Sequence, residues 1–253
     1  MAASAHSAWW RDYFDERYLE ISRSRLPAAK SRAEVAAVIE LLGLPVGARI
    51  LDVPCGWGRH SVPLAEARFR VTGADLSSVQ LEAAREYARQ SGVEVEWIQT
   101  DMRLLPWREC FDAVISLFSS LGYFDRDEED LAALRAFRAA LRPGGVLLLE
   151  TMHRDALARH YAPRDWWETE VGTVVRVERR FDAVAGVNHE WMHWQRGADA
   201  GEKDHRMRVR TVTEWDALLR AAGLAPESWY GGWNGRPFTH ESPRLVVLAR
   251  RAA

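Results

Sequence analysis

Residues 49–60 read Arg-Ile-Leu-Asp-Val-Pro-Cys-Gly-Trp-Gly-Arg-His. The apolar residues at the start of this stretch predict a buried strand. Gly56 and Gly58 then predict a tight turn that a ligand can approach without a Cβ in the way. A helix is expected to begin near His60, with its unpaired backbone N–H groups facing the bound molecule. The stretch therefore predicts a strand, a turn and a helix around a nucleotide-like cofactor.

Two acidic residues and one missing glycine indicate which nucleotide binds. A dinucleotide-binding loop has its third glycine where this chain has Ser61, so NAD is disfavoured. Asp52, at the end of the strand, would repel a pyrophosphate but suits the ammonium of an amino acid. Asp75 follows Gly58 by 17 residues, at the end of a second predicted strand, where a carboxylate can accept ribose hydroxyls. The pair of acids indicates a nucleoside that carries an amino-acid tail.

In this pattern the sequence resembles the class I S-adenosylmethionine-dependent methyltransferases. Residues 52–58 match their cofactor loop, Asp75 their ribose acid, and the pair at 101–102 their adenine contacts. Residues 111–118 are similar to their fourth strand, and residues 141–150 to the turn and the fifth strand. Each piece alone is weak evidence, but their order and spacing together are specific.

The resemblance, which covers about residues 45–152, implies an α/β fold with a Rossmann-like, doubly wound sheet of seven strands. This sheet is mostly parallel, with the last strand antiparallel. We expect a helical cap at residues 1–44 and a methyltransferase domain at residues 45–253. Period-2 patterning within residues 165–213 predicts an antiparallel β-meander inserted in that domain. Its three predicted strands are residues 173–181, 187–196 and 205–212.

Two helix starts are predicted from capping patterns. Ser31 and Glu34 have the spacing of a capping box, which would open a helix that stops at Gly43. Near the other end of the chain, Thr213-Glu-Trp-Asp216 predicts the start of a helix that ends at Gly223.

The resemblance also implies a set of cofactor-binding residues and the cofactor itself, S-adenosylmethionine, with S-adenosylhomocysteine as the product. Most of these residues follow the predicted strands, and Tyr13 is a candidate lid residue from the N-terminal helices. For Tyr13, Leu76 and Met102 the alternative is that the side chain only packs in the core. The set is Asp52, Pro54, Cys55, Gly56, Gly58, Asp75, Leu76, Asp101, Met102, Leu117 and Tyr13.

Aromatic residues mark the expected site of the methyl acceptor. Ligands of open α/β sheets gather outside the carboxyl ends of the strands. We therefore expect Phe118 and Tyr123, in the loop after the fourth strand, to line the acceptor. The alternative is that these rings only pack in the core. Trp166 and Trp191, in the predicted meander, are expected to add aromatic walls to the same pocket.

Four histidines are candidates for a general base or for metal ligands. His153 follows the fifth strand and is the candidate general base, because imidazole exchanges protons near neutral pH. Its alternative is a structural polar role. His189, His193 and His205 lie on neighbouring predicted strands, but no cysteine or carboxylate with familiar spacing accompanies them, so no metal is expected.

Composition narrows the class of protein. With 253 residues and 47% hydrophobic content, the chain can bury one α/β core. A net charge of −2 gives no general attraction to nucleic acid. Two cysteines exclude a disulfide framework, and no apolar run approaches membrane-spanning length. We expect a cytoplasmic monomer or homodimer that acts on a small molecule, without nucleic acid or membrane.

The predicted function is methyl transfer from S-adenosylmethionine to an O, N, S or C nucleophile of a small molecule. An RNA or protein methyltransferase is the first alternative. It is disfavoured because residues 115–118 lack the N/D-P-P-Y/F sequence that grips a planar amide. A non-catalytic binding module of the same fold is the second alternative.

Overall fold

The computed structural model of the protein describes residues 8–252, which form two β-sheets and seven α-helices within that range. The strands are β1 Arg49–Asp52, β2 Arg70–Asp75, β3 Glu96–Gln99, β4 Phe111–Ser116, β5 Leu141–Thr151, β6 Arg164–Glu168, β7 Val174–Asp182, β8 Val187–Arg196, β9 Asp199–Arg208, β10 Leu224–Tyr230 and β11 Leu245–Arg251. The helices are α1 Glu16–Ser24, α2 Ala28–Leu42, α3 Ser61–Glu66, α4 Ser78–Ser91, α5 Asp127–Ala140, α6 Arg154–Arg159 and α7 Val212–Ala221, and a 3₁₀ helix spans Trp9–Arg11.

The larger sheet has the strand order β10-β11-β5-β4-β1-β2-β3. Strand β11 runs antiparallel to both of its neighbours, and the other neighbouring pairs are parallel. This confirms the predicted Rossmann-like sheet with an antiparallel last strand. Apolar clusters cover both faces, and Ile50, Leu51 and Ile115 at its centre are fully buried, as parallel strands require.

The strand order reverses between β1 and β4, and the carboxyl ends of these strands open a crevice. The turn after β1 depends on Gly58, whose φ is +76°. A Cβ on Gly58 would lie 2.8 Å from the Trp97 ring and 3.2 Å from the Cβ of Ala84. Only glycine therefore lets this turn pack against β3 and α4.

The smaller sheet is antiparallel, in the order β6-β7-β8-β9. The predicted meander is confirmed, but it has four strands instead of three. Strand β6 was missed because it is only five residues long and no turn signal in the sequence marks it as a separate strand. Strand β9 also begins at Asp199, earlier than the predicted strand at residues 205–212. Arg196 pairs directly with Asp199, and Gly201 pairs with Trp194, whose ring covers the glycine.

Two predicted helix starts are displaced. Helix α2 begins at Ala28, so Ser31 lies inside the helix, and the predicted capping box at Ser31 is wrong. Its end at Gly43, in the left-handed conformation, is confirmed. Helix α7 begins at Val212, and its N-cap is Thr211 instead of Thr213, since Thr211 and Glu214 form the capping box there. Strand β10 follows α7 and was not predicted from the sequence.

The N-terminal segment packs on the smaller sheet. Trp9, Tyr13 and Ile21 form an apolar cluster with Val177 of β7 and Met192 of β8, among others. Residues 1–7 of the expected cap lie outside the described residues. Within residues 8–252, no helix has the length and apolar character that crossing a membrane requires.

Candidate active site

A cavity of about 950 Å³ lies at the carboxyl ends of β1, β2, β3 and β4. We call it the cofactor cavity. Eight of the residues predicted to bind the cofactor line it, namely Pro54, Cys55, Gly56, Asp75, Leu76, Asp101, Met102 and Leu117.

Asp75 is fixed in the wall of the cofactor cavity by two backbone donors. Gly56 N–H donates to Oδ2 over 2.8 Å, and Ser77 N–H donates to Oδ1 over 2.9 Å. Burial raises the pKa of Asp75, although these hydrogen bonds oppose the shift. Each carboxylate oxygen can accept more than one hydrogen bond. The side chain is thus oriented to accept further donors from the cavity.

Asp101 is held by an arginine at the far end of the same cavity. Arg103 donates from Nε to Oδ1 over 3.0 Å and from Nη2 to Oδ2 over 2.6 Å. Burial alone would raise the pKa of Asp101, but the hydrogen bonds and charge of Arg103 outweigh it and lower the pKa. Arg103 also bonds Glu129 and stacks on Trp10. Asp101 therefore stays ionised and immobile beside Met102.

Two of the predicted cofactor residues lie behind the cavity wall. Asp52 is almost fully buried, and its Oδ2 accepts the Ser61 hydroxyl over 2.5 Å. Burial raises the pKa of Asp52 to about 7, although the Ser61 hydrogen bond opposes the shift. Asp52 thus joins β1 to the start of α3, and Gly58 packs on Trp97. Both support the loop instead of lining the cavity.

The loop after β4 holds an unusual backbone conformation. Phe118 and Ser119 have φ values of +64° and +59°, which cost non-glycine residues on the order of 1–3 kcal/mol each. The Glu150 carboxylate accepts Phe118 N–H over 2.6 Å and also binds Arg244. Ser119 Oγ accepts Arg244 Nη2 and the backbone N–H of Met152, each over 2.9 Å. These contacts hold the strained loop in place.

A second cavity, of about 1300 Å³, lies between the N-terminal segment, this loop and the smaller sheet. We call it the acceptor chamber. The predicted acceptor residues Phe118 and Tyr123 line both cavities, so the two spaces meet at these rings. The complete shared set is Phe14, Tyr18, Ser22, Leu26, Phe118 and Tyr123.

A row of polar residues crosses the chamber wall on three neighbouring strands. Arg179 pairs with Glu190, and Glu190 pairs with His205. Arg179 Nε donates to Glu190 Oε2 over 2.5 Å. His205 Nδ1 lies 3.1 Å from the Tyr13 hydroxyl and 3.9 Å from Glu190 Oε1. Burial lowers the pKa of His205, and the Glu190 charge opposes this shift, so the imidazole is neutral at pH 7.

Three predicted residues are placed differently from expectation. Trp166 is 69% exposed and lines neither cavity. Trp191 stacks on the His189 ring, with 3.7 Å between ring centroids, on the face of β8 opposite to Glu190. Tyr13 lines the acceptor chamber and not the cofactor cavity.

His153, the predicted general base, caps a helix. Its ring is fully buried. Nδ1 accepts the Ala156 N–H over 3.4 Å at the start of α6, and Nε2 lies 2.6 Å from the Ser242 carbonyl oxygen. Both nitrogens are occupied by backbone groups, and the side chain lines neither cavity. The structure therefore gives His153 a structural position.

Several residues of the site were not found from the sequence. Tyr18, Glu190 and His205 line the chamber, and Glu150 and Arg244 hold the loop. The one sequence signal for Glu190 and His205 is the alternation along β8 and β9. It places these two residues on the strand faces opposite to the one that His189 and Trp191 occupy. His205 therefore cannot join His189 around a metal ion.

Comparison with known proteins decides the family. Residues 50–145 match the model of a methyltransferase domain. Over 212 residues the chain is 30% identical to a dTDP-3-amino-3,6-dideoxy-alpha-D-glucopyranose N,N-dimethyltransferase of Streptomyces fradiae, covering 82% of this chain and 81% of that protein. The chain belongs to the S-adenosylmethionine-dependent methyltransferases. This confirms the predicted family, enzyme class and cofactor.

Two solved structures show the same fold as this methyltransferase. S-adenosylmethionine-bound CalS10, an amino pentose methyltransferase from Micromonospora echinaspora involved in calicheamicin biosynthesis, is 27% identical, with a TM-score of 0.70 over 94% of this chain and 97% of that chain. A methyltransferase from Clostridium acetobutylicum is 16% identical, with a TM-score of 0.79 over the same shares of the two chains, and supports the fold alone. The prediction of small-molecule methyl transfer is confirmed, and neither alternative is favoured.

Proposed function

We propose that this methyltransferase transfers a methyl group to the amino group of a small, sugar-like molecule in the acceptor chamber. The observation that carries the proposal is the row of Arg179, Glu190 and neutral His205 in a chamber whose lining also includes aromatic and apolar residues such as Trp9, Tyr13 and Met192. This chamber meets the cofactor cavity at Tyr18 and Phe118. The acceptor and the methyl donor can thus be held in adjoining spaces.

The chemistry of the chamber favours an amine over a hydroxyl group. The Glu190 carboxylate attracts an ammonium group, although Arg179 is bonded to it and Arg25, Lys30 and Arg244 also line the chamber. The faces of Trp9, Tyr13 and Tyr18 accept a cation. The relative from Streptomyces fradiae is named for N-methylation of an amino sugar, and CalS10 for methylation of an amino pentose. These names support the same acceptor class here.

In the cofactor cavity we assign the residues that line it as the resemblance implies. Asp75 accepts the ribose hydroxyls, Asp101 and Met102 hold the adenine, and the loop of Pro54 and Gly56 holds the methionine portion. S-adenosylmethionine, when bound, supplies an electrophilic methyl group on a sulfonium. The protein aligns the acceptor with it, and such positioning alone contributes roughly 7–11 kcal/mol to lowering the barrier.

We also propose a cellular location and an oligomeric state. The two free cysteines, Cys55 and Cys110, and the net charge of −2 support a cytoplasmic enzyme that does not act on nucleic acid. We also retain the division into a cap at residues 1–44 and a catalytic domain at residues 45–253. A monomer or homodimer is compatible with a site built entirely from one chain.

A matched pair of acceptors tests the proposal. The protein is incubated with S-adenosylmethionine and either a nucleotide-linked 3-amino-3,6-dideoxyglucose or the same sugar with a 3-hydroxyl group. Methylated product and S-adenosylhomocysteine are both quantified. We expect methylation of the amine and none of the hydroxyl sugar. Equal transfer to the hydroxyl sugar, or no transfer to the amine, contradicts the proposed acceptor.

A further inference from the structure

The acceptor chamber contains a partly buried histidine with one ring nitrogen that has no partner among the described residues. His205 lies on β9, and its Nδ1 is hydrogen-bonded to the Tyr13 hydroxyl at 3.1 Å. Its Nε2 has no hydrogen-bond partner among residues 8–252, and His205 lines the acceptor chamber. We propose that His205 accepts the proton that the acceptor amine must lose before methyl transfer. This inference rests on the proposed amine acceptor.

Such a proton acceptor is needed because an aliphatic amine is mostly protonated at pH 7, as the ordinary pKa of lysine, about 10.4, shows. An N–H bond of the ammonium breaks, and the proton passes to Nε2 of His205. The freed lone pair forms the N–C bond while the C–S bond breaks and its electron pair stays on sulfur. The imidazolium of His205 then releases the proton to solvent, which restores the neutral base.

The surroundings of His205 fit this task. Tyr13 fixes the ring orientation, and a proton on Nδ1 that is donated to the Tyr13 oxygen leaves the Nε2 lone pair free. Glu190, 3.9 Å from Nδ1, stabilises the imidazolium once it forms, and burial keeps the free imidazole neutral through its lowered pKa. The titratable and charged groups that face it are Tyr13, Arg179 and Glu190, while His189 and Asp204 act on its pKa from the opposite face of the sheet.

The other polar residues of the two cavities are less suited to the same step. His60 lines the cofactor cavity, but its Nε2 is bound to Glu34 at 2.9 Å. Burial raises the pKa of Tyr18 to about 12, so its phenol does not act as a base at pH 7. Glu190 is already paired with Arg179. His205 is the chamber residue that combines a neutral base with an open nitrogen.

The test uses His205→Asn, because the asparagine amide can still bond Tyr13 but cannot take up a proton. Rates with the nucleotide-linked 3-amino sugar are measured from pH 6 to pH 10, and binding of S-adenosylhomocysteine is measured by calorimetry. We expect kcat at pH 7 to fall by roughly 10²-fold or more, with unchanged nucleoside affinity. The deficit should shrink as the pH approaches the pKa of the amine, because solvent then removes the proton.

Two further variants keep the result interpretable. His189→Asn, on the opposite face of the sheet, should behave as wild type. His205→Gln, with a melting temperature within error of wild type, replaces His205→Asn if the asparagine variant does not fold. Wild-type kcat and an unchanged pH profile in the folded variant overturn the inference, as does a loss that is equal at every pH. If wild type methylates no amine at all, the proposed function fails first and the inference falls with it.

Discussion

The cofactor cavity and the acceptor chamber adjoin each other but are built in different ways. Most of the walls of the cofactor cavity come from short stretches that follow β1, β2, β3 and β4, and the N-terminal segment adds Trp10, Phe14, Tyr18, Ser22 and Leu26. The walls of the acceptor chamber come from residues as far apart along the chain as Trp9, Tyr123, Glu190 and Arg244. Local sequence motifs therefore determine where the nucleoside lies, whereas tertiary packing determines what is methylated.

Changing the turn after β1 should affect the cofactor cavity most strongly. Gly58→Val places a side chain 2.8 Å from Trp97 in a positive-φ conformation. We expect a loss of roughly 3 kcal/mol or more of unfolding free energy, by denaturant titration, together with loss of S-adenosylhomocysteine binding. Gly43→Ala, also at positive φ but with open space around it, should cost only about 1 kcal/mol. Equal effects of the two changes would mean that the clash is not decisive.

Removing the ribose acid should weaken one cavity and leave the other unchanged. Asp75→Ala should weaken the binding free energy of S-adenosylhomocysteine by roughly 1–3 kcal/mol, because charge-assisted hydrogen bonds are lost. The KM of the acceptor at saturating S-adenosylmethionine should stay at the wild-type value. Asp182→Ala, at the exposed end of β7, is the matched control. Unchanged nucleoside affinity by calorimetry would remove Asp75 from the site.

The buried ion pair beside the cofactor cavity gives a pH-dependent prediction. Burial alone would raise the pKa of Glu34, but hydrogen bonds from His60 and Arg59 lower it to about 2. A lowered carboxyl pKa stabilises the fold above the unfolded value of about 4.5, and that stability is lost as the pH falls toward 2. Glu34→Gln should therefore cost on the order of 1–3 kcal/mol at pH 7. The difference from wild type should narrow between pH 4.5 and pH 2, and a constant difference would contradict the account.

Two adjacent tryptophans allow the chamber wall to be compared with the protein surface. Trp167 lines the acceptor chamber, whereas Trp166 points outward and is 69% exposed. Trp166→Ala should change unfolding free energy by no more than about 0.5 kcal/mol and leave the acceptor KM unchanged. Trp167→Ala should raise the acceptor KM several-fold while the Kd of the nucleoside stays constant. Similar kinetics for both variants would show that the chamber does not hold the acceptor.

The sequence predicted the larger sheet and most of the cofactor cavity because their signals are local. A glycine turn, an acid after the next strand and a pair after the third strand each stand within a few residues of a strand end. Asp52 and Gly58 do not line the cavity, and a motif does not say which of its side chains face the ligand and which support the loop.

The acceptor chamber was harder to predict for a physical reason. Period-2 alternation along β8 shows that Glu190 and Trp191 face opposite sides, but only packing against the N-terminal segment selects the inner side. The same limit applies to the histidines. His153 is near a strand end in sequence yet caps a helix, and His205 is remote in sequence yet lies in the chamber.

A crystal structure with S-adenosylhomocysteine and the amino sugar nucleotide tests the central claim most directly. The account predicts that the adenosine lies beside Asp75 and Asp101, that the sulfur atom faces the shared rings of Tyr18 and Phe118, and that the amine nitrogen lies across those rings in the chamber with His205. An amino sugar bound outside the chamber, or adenosine bound away from Asp75, would contradict the account.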